Sequence, residues 1–421
     1  MSRPEVIILG AGAAGLMAAD ALSEKCNVTI IESAAAPGGR IRSLPLKAGE
    51  GVIEAGAEFV HGNLPVTGQL LQEARLTLLK IEGKMFRKER GEWKEQHEMI
   101  EGWDGLLQVM KEQQQDVTMH DLLMKHFGGE ANAALRRHVY QYVQGFDVAD
   151  PAKVSVQSLY KEWSAEEEEL FRIKEGYGAV IGFLAKKVAA KGCRIVLNET
   201  IRQIDWQQNS ITAYNAARKK YTADRLLITL PVGVMTATGG SCSLNLTPPA
   251  DECINAYRNT GFGGVVKVAL EFREKFWPND MSFAFGDEMI PTWWTQLPLE
   301  NNLLIGWAGG PVANRIAAHT DDELLEIGLR SAASIFGINI EECKNNLCQS
   351  FVFNWSANKN ALGAYSYATP ASRAALEILN KSLIGTVFFA GEGLFEGEYP
   401  GTVEAAFMSG KQAAMKMIET M

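Results

Sequence analysis

The chain has 421 residues, enough for two domains and a large core. A hydrophobic content of 47% with 22% charged residues is that of an ordinary globular protein and excludes a long disordered part. The formal net charge of −9 argues against a nucleic-acid or anionic-membrane surface and is compatible with cationic substrates.

The first element, Val6-Ile7-Ile8-Leu9, is an apolar run that ends in Gly10, Gly12 and Gly15 at G-x-G-x-x-G spacing. It passes directly, through Ala14, into a small-residue helical pattern. Strand, tight turn and helix in this order are the dinucleotide-binding arrangement: the pyrophosphate sits on a helix N-terminus, where unpaired N–H groups and the helix dipole favour negative charge. A second apolar run, Val28 to Ile31, ends in Glu32, 20 positions after Gly12, where a carboxylate accepts hydrogen bonds from a ribose. Then Pro37-Gly38-Gly39-Arg40 adds a second glycine turn with a cation able to pair with phosphate as a planar fork.

With G-G-R just after the ribose acid, the chain resembles the FAD-dependent amine oxidases: monoamine oxidase, the polyamine and spermine oxidases, and the histone demethylase of that superfamily. The resemblance implies that Gly10, Gly12, Ala14, Gly15, Glu32, Gly39 and Arg40 hold FAD. Gly56-Ala57-Glu58-Phe59-Val60-His61-Gly62 resembles the family segment that runs beneath the flavin, so Gly56, Ala57 and Glu58 join the cofactor set. Polyamine and spermine oxidases carry His or Glu where His61 stands, at the mouth of the substrate tunnel, which makes Glu58 and His61 candidate substrate residues. Read without the resemblance, they are a loop acid and a loop histidine.

From 66 to 180 helical spacing prevails, notably in Glu101–Met110, Asp121–Phe127 and Ala131–Gly145. The run Glu166 to Glu169 reads as a solvated helix face, with a cation-attracting funnel as the alternative. Arg194 to Ile201 and Ser210 to Tyr214 alternate as strands, and Arg225 to Leu230 is a buried strand stopped by Pro231. The family position matching Ile201 contacts the adenine through its backbone.

Past Pro248-Pro249, the strand Val265 to Phe272 carries Lys267 among apolar residues. A lysine there is either an edge-strand residue reaching solvent or an ionisable group in a cleft. The family has a lysine in this context, K-x-x-L-x-F followed by F-W-P, and holds a water near flavin N5 with it. Trp293 and Trp294 read as cavity lining or as plain core.

Near the C-terminus, Trp355 precedes Gly363-Ala364-Tyr365-Ser366 as in the family's W…G-x-Y-s, and Ala390-Gly391-Glu392 ends a further buried strand before Gly401-Thr402-Val403 opens a helix. By resemblance Trp355, Gly391, Glu392, Thr402 and Val403 contact FAD, while Tyr365 orients the substrate amine. The covalent-flavin cysteine position of monoamine oxidase falls at Ala364, so the expected FAD is non-covalent. The second aromatic-cage position is Thr402, also a candidate substrate contact.

The expected fold class is α/β: a glutathione-reductase-like FAD-binding Rossmann domain (1–65, 181–247 and 371–421) with an inserted α+β substrate domain (66–180 and 248–370). The expected reaction is oxidation of a C–N bond of a primary or secondary amine, polyamines included, with O2 as acceptor and hydrogen peroxide as product. The alternatives are an L-amino acid oxidase, an FAD-dependent desaturase, or a low-turnover flavin scaffold. Six scattered cysteines without C-x-x-C, histidines without H-E-x-x-H and no 18-residue apolar run lead to expecting no disulfide frame, no metal, no membrane anchor and a cytoplasmic location. The identity of the amine and the oligomeric state stay open.

Overall fold

A computed structural model describes residues 3–62, 64–89, 91–96, 102–164, 169–397 and 400–421. Among these residues, five strands make a parallel sheet in the order Arg194–Val196, Asn27–Ile31, Glu5–Leu9, Arg225–Ile228, Val387–Phe389. Their runs are apolar on both faces because both faces are covered. Along Glu5–Leu9, Val6 and Ile8 enter one core with Leu16, Leu184 and Phe407, whereas Ile7 and Leu9 enter a second with Ile204, Tyr257 and Leu379. The helices Ala13–Leu22 and Val403–Glu419 pack closely on each other over the first face, which lets the two termini of the described chain share one core.

The stretch read as one strand over 194–201 is two. Arg194–Val196 closes the parallel sheet beside Ile31, and Asn198, with φ +55°, turns the chain so that Ile201–Gln207 pairs antiparallel with Ser210–Asn215 in a separate sheet.

A second, mixed sheet has the order Leu347–Asn354, Val265–Phe272, Leu303–Gly309, Thr292–Trp294, Met281–Phe285, Lys84–Glu89, Glu92–Gln96. Its last two strands come from the region expected to be mainly helical. The helices Trp103–Lys111, Met119–Phe127 and Ala133–Gly145 lie close to where their spacing predicts, but the hairpin Lys84–Gln96 joins the sheet through parallel pairing with Met281–Phe285. The helix Pro65–Ala74 buries Leu70 and Leu71 in the core that holds Val6 and Ile8. Of the acidic run, Glu166, Glu167 and Glu168 lie outside the described residues, while Glu169 pairs with Lys80 at 2.6 Å.

Candidate active site

The glycine turn leaves Glu5–Leu9 at Gly10, whose φ of +102° is open to glycine but strained for other residues. A Cβ on Gly15 would lie 2.0 Å from the Gly10 carbonyl, so this glycine lets the helix close onto the strand, whereas a Cβ on Gly12 would meet nothing nearer than the Gly38 carbonyl at 3.9 Å. One glycine makes contact and the other faces open space, the division of labour that a bound pyrophosphate requires. Glu32 sits at the far edge of that space, its carboxylate accepting from the backbone N–H of Ala11 (2.7 Å) and of Ala34 (2.8 Å). Arg40 crosses to the C-terminal segment, donating to Glu392 (2.7 Å) and to the Ala364 carbonyl (2.6 Å), and Glu392 also accepts from Ser366. Thr402 caps the helix Val403–Glu419 by accepting from the Ala405 N–H, and so fixes the helix N-terminus at the same opening. Ile201 and Gly391 line the opening as well.

Lys267 is not an edge lysine. Its strand lies inside the second sheet between Leu347–Asn354 and Leu303–Gly309, and the side chain is 0% exposed. Its Nζ donates to Glu58 Oε2 at 2.7 Å and to the Gly56 carbonyl at 3.4 Å, and lies 5.3 Å from the centre of the Trp294 ring. The other Glu58 oxygen, Oε1, accepts from Arg172 (3.0 Å), the Trp294 indole (2.9 Å) and Gln296 (3.1 Å). Arg172 in turn donates to Gln296 Oε1 and to the carbonyls of Thr295 and Leu297. Burial alone would raise the Glu58 pKa, but the charges of Lys267 and Arg172 outweigh it and hold the carboxyl at about 2. Glu58 thus corrects one expectation: its oxygens are turned to these buried donors, and it does not present a free anion to a distal substrate cation.

Gly56 and Ala57 lead into this cluster. A Cβ on Gly56 would lie 1.9 Å from the Arg40 carbonyl and 3.2 Å from the Trp355 ring, and the Trp355 indole donates to the Ala55 carbonyl at 2.8 Å. His61 is edge-on to Phe146 (ring centres 5.9 Å apart) and burial lowers its pKa to about 4, so it stands neutral. Tyr365 donates its hydroxyl to the Phe146 carbonyl and stacks with Trp307. Trp294 lines the cavity while Trp293 is plain core. One continuous cavity of about 2310 Å³ runs from Glu32 and Ile201, past Gly12, Arg40 and Glu392, to Lys267, Trp355, Tyr365 and His61. Arg172 and Gln296 carry no motif. The signal available for Arg172 was a lone cation in the apolar strand Leu170–Ile173, the same pattern that marked Lys267.

The model of the flavin containing amine oxidoreductase family matches residues 13–418. The chain belongs to that family. Among curated relatives, polyamine oxidase 4 of Oryza sativa subsp. japonica is 24% identical over 98% of this chain and 88% of its own. Lysine-specific histone demethylase 2 of Homo sapiens is 25% identical over 98% of this chain, which spans only 53% of it. Among solved structures, putrescine oxidase bound to putrescine and the cyclohexylamine oxidase of Brevibacterium oxydans IH-35A each superimpose with a TM-score of 0.81 at 18% identity, over 99% of both chains.

As in the family, the cofactor is FAD, and the residues present fit it: a turn with an open Gly12, the Glu32 carboxylate, the Arg40 guanidinium and two helix N-termini share one cavity. No helix among the described residues is long and apolar enough to cross a membrane.

Proposed function

We propose that this flavin containing amine oxidoreductase oxidises a C–N bond of a primary or secondary amine to the imine. When bound, FAD supplies the hydride acceptor, and dioxygen reoxidises it to give hydrogen peroxide. The observation that carries the reading is the buried Lys267–Glu58 ion pair beside Gly56, in a cavity continuous with the dinucleotide turn. An ammonium has three N–H donors. Glu58 and Gly56 take two of those of Lys267, which leaves the third to hold a water at the reacting face. Tyr365, with its hydroxyl tied to Phe146, presents its ring to the amine. Neutral His61 adds no cation to repel it.

The parallel sheet with its covering helices supports a glutathione-reductase-like reading of 1–65, 181–247 and 371–421, with the inserted pieces forming the substrate side. Ala364 offers no thiol, so the FAD is non-covalent and is released by acid into solution. An L-amino acid oxidase needs an arginine free to bind a carboxylate. The buried arginine next to Lys267 is Arg172, and it is engaged by Glu58, Gln296 and two carbonyls.

The test is anaerobic mixing of the yellow holoenzyme with a panel of amines and L-amino acids while the flavin absorbance is followed. Bleaching by amines supports the reading. Bleaching by amino acids alone, or by nothing on the panel, overturns it.

A further inference from the structure

The mixed sheet turns one face to the cavity, and a single row of paired residues crosses that face. Lys267 lies opposite Trp307, Trp307 opposite Thr292, Thr292 opposite Phe285, and Phe285 opposite Arg87. Residues paired across strands share a face, and these five line the cavity. Their sequence neighbours Val268, Trp293, Ala284 and Phe86 belong to, or pack on, the core behind the sheet. At about 4.8 Å between strands, Arg87 stands about 19 Å along the sheet from Lys267 and about 14 Å from Trp307, the ring that stacks with Tyr365. One cation thus marks each end of the row.

Arg87 is half-buried, and its guanidinium carbon lies over the Phe285 ring, 5.3 Å from the centre. Its Nε donates to Gln96 Oε1 (3.1 Å) and its Nη1 to Gln141 Oε1 (3.3 Å), both of them neutral amide oxygens. A guanidinium has five N–H donors set in a planar fork, so these two bonds leave donors unspent. Among the described residues no carboxylate pairs with it. The two nearby acids are turned elsewhere: Glu89 lies 3.4 Å from His138 Nε2, and Asp287 accepts from Gln141 at 2.8 Å. Burial lowers the Arg87 pKa against the fields of Glu89 and Asp287, and the charge of Arg137 adds to the fall. A partly desolvated cation with spare donors is costly, so a cavity wall that keeps one is suited to an anion that arrives from outside.

The shape of the fork favours a carboxylate, whose two oxygens it meets with parallel hydrogen bonds. The position of Arg87 decides where on the substrate that carboxylate sits. An α-carboxylate is next to the reacting carbon and falls far short of Arg87, whereas the Trp307 and Phe285 rings between the two ends offer an apolar floor for a hydrocarbon chain. We propose that Arg87 binds a carboxylate at the far end of the substrate, so that the substrate class is a long amine with a terminal carboxylate. This rests on the amine-oxidation reading for the site as a whole, but binding and turnover can be measured apart.

Dithionite-reduced holoenzyme cannot oxidise an amine, so anaerobic calorimetry on it reports binding alone. The probes are 4-aminobutanoate and 10-aminodecanoate, each compared with its own primary amide, which keeps the chain and removes the charge. The expected result is that 10-aminodecanoate binds about 10- to 100-fold more tightly than its amide, the size of a charge-assisted hydrogen bond, while 4-aminobutanoate is too short to gain. In Arg87→Gln the gain of the longer acid falls towards one. In Arg87→Lys, which keeps the charge and loses the fork, it falls by a smaller factor. Equal affinity of 10-aminodecanoate and its amide in the unsubstituted protein overturns the proposal, whether or not the variants fold. A gain that survives in Arg87→Gln, or one as large for 4-aminobutanoate, overturns it too. If the gain depends on Arg87 but no amine bleaches the oxidised flavin, the anion site stands and the amine-oxidase reading fails. If 10-aminodecanoate and its amide bleach the flavin with equal kcat/KM and bind equally, the reading stands and the anion site fails.

Discussion

Lys267 and Glu58 form an ion pair with essentially no exposed surface, 0% and 4% for the two side chains, and Arg172 closes the group from the other side. Removing one member of a buried pair leaves uncompensated charge and costs about 3–5 kcal/mol. Glu58→Gln keeps the shape but leaves Lys267 and Arg172 facing a neutral amide, and is expected to lose stability of that order. Urea unfolding of the holoenzyme measures it, and a loss under about 1 kcal/mol would show that water reaches the pair.

The same group sets part of the acid limb. Glu58 is bound less tightly by protons in the fold than in the unfolded chain, so its contribution is complete above pH 4.5 and is lost as pH falls towards about 2. His61 acts earlier. Its folded pKa is lowered from 6.5 to about 4 by burial, so the neutral ring's contribution is complete above 6.5 and is lost on descent to about 4. His61→Asn is therefore expected to flatten the stability profile between pH 6.5 and 4, and to leave the fall below 4.5 in place. Unfolding midpoints across that range decide it, and an unchanged slope above 4.5 would refute the assignment to His61.

Among elements, the helix Pro65–Ala74 opens at Leu64, which has no side chain able to cap it. Its orphan N–H groups are met by Glu404, which is fully buried and accepts from Val66 N (2.8 Å), Thr67 N (2.8 Å) and Thr67 Oγ1 (2.7 Å). Hydrogen bonds to a charged group are worth about 1.5–3 kcal/mol each. Glu404→Ala is thus expected to destabilise by at least about 2 kcal/mol and to speed amide exchange through Val66–Gly68; exchange confined to the C-terminal helix would show that the cap is not what holds the two together. This pair also marks what a sequence can convey. The glycine turn, the strand that ends in Glu32 and the apolar strand around Lys267 are local patterns, set by the geometry of consecutive residues, and they are readable from the sequence. Glu404 capping a helix 337 positions upstream, and Arg172 meeting Glu58 across 114, are products of packing, with no spacing to betray them. The strands Lys84–Glu89 and Glu92–Gln96 were missed for the same reason: short and partly polar, they are strands because Met281–Phe285 offers an edge to pair with.

For the whole molecule, the cavity separates the parallel sheet from the mixed one, and a small core of Ala55, Val148, Val265, Trp355, Ala361 and Ala364 borders it. Filling the cavity with FAD stabilises every element that lines it. At a thousandfold excess over Kd the gain is about 4 kcal/mol. Deflavinated protein is expected to unfold at lower temperature and to recover the holo value when FAD is added. Calorimetric scans of both forms test this, and coincident transitions would mean that the cavity walls stand without the cofactor.

The order of strands in the parallel sheet has a consequence in time. Glu5–Leu9 is made long before the last strand of its sheet, Val387–Phe389, and before the helix that packs on Ala13–Leu22. Until they leave the ribosome, the glycine turn has no Glu392 opposite Arg40 and no second helix N-terminus. A nascent chain therefore carries the first half of the nucleotide site until Val403–Glu419 has been made, and yellow colour marks chains that have passed that point.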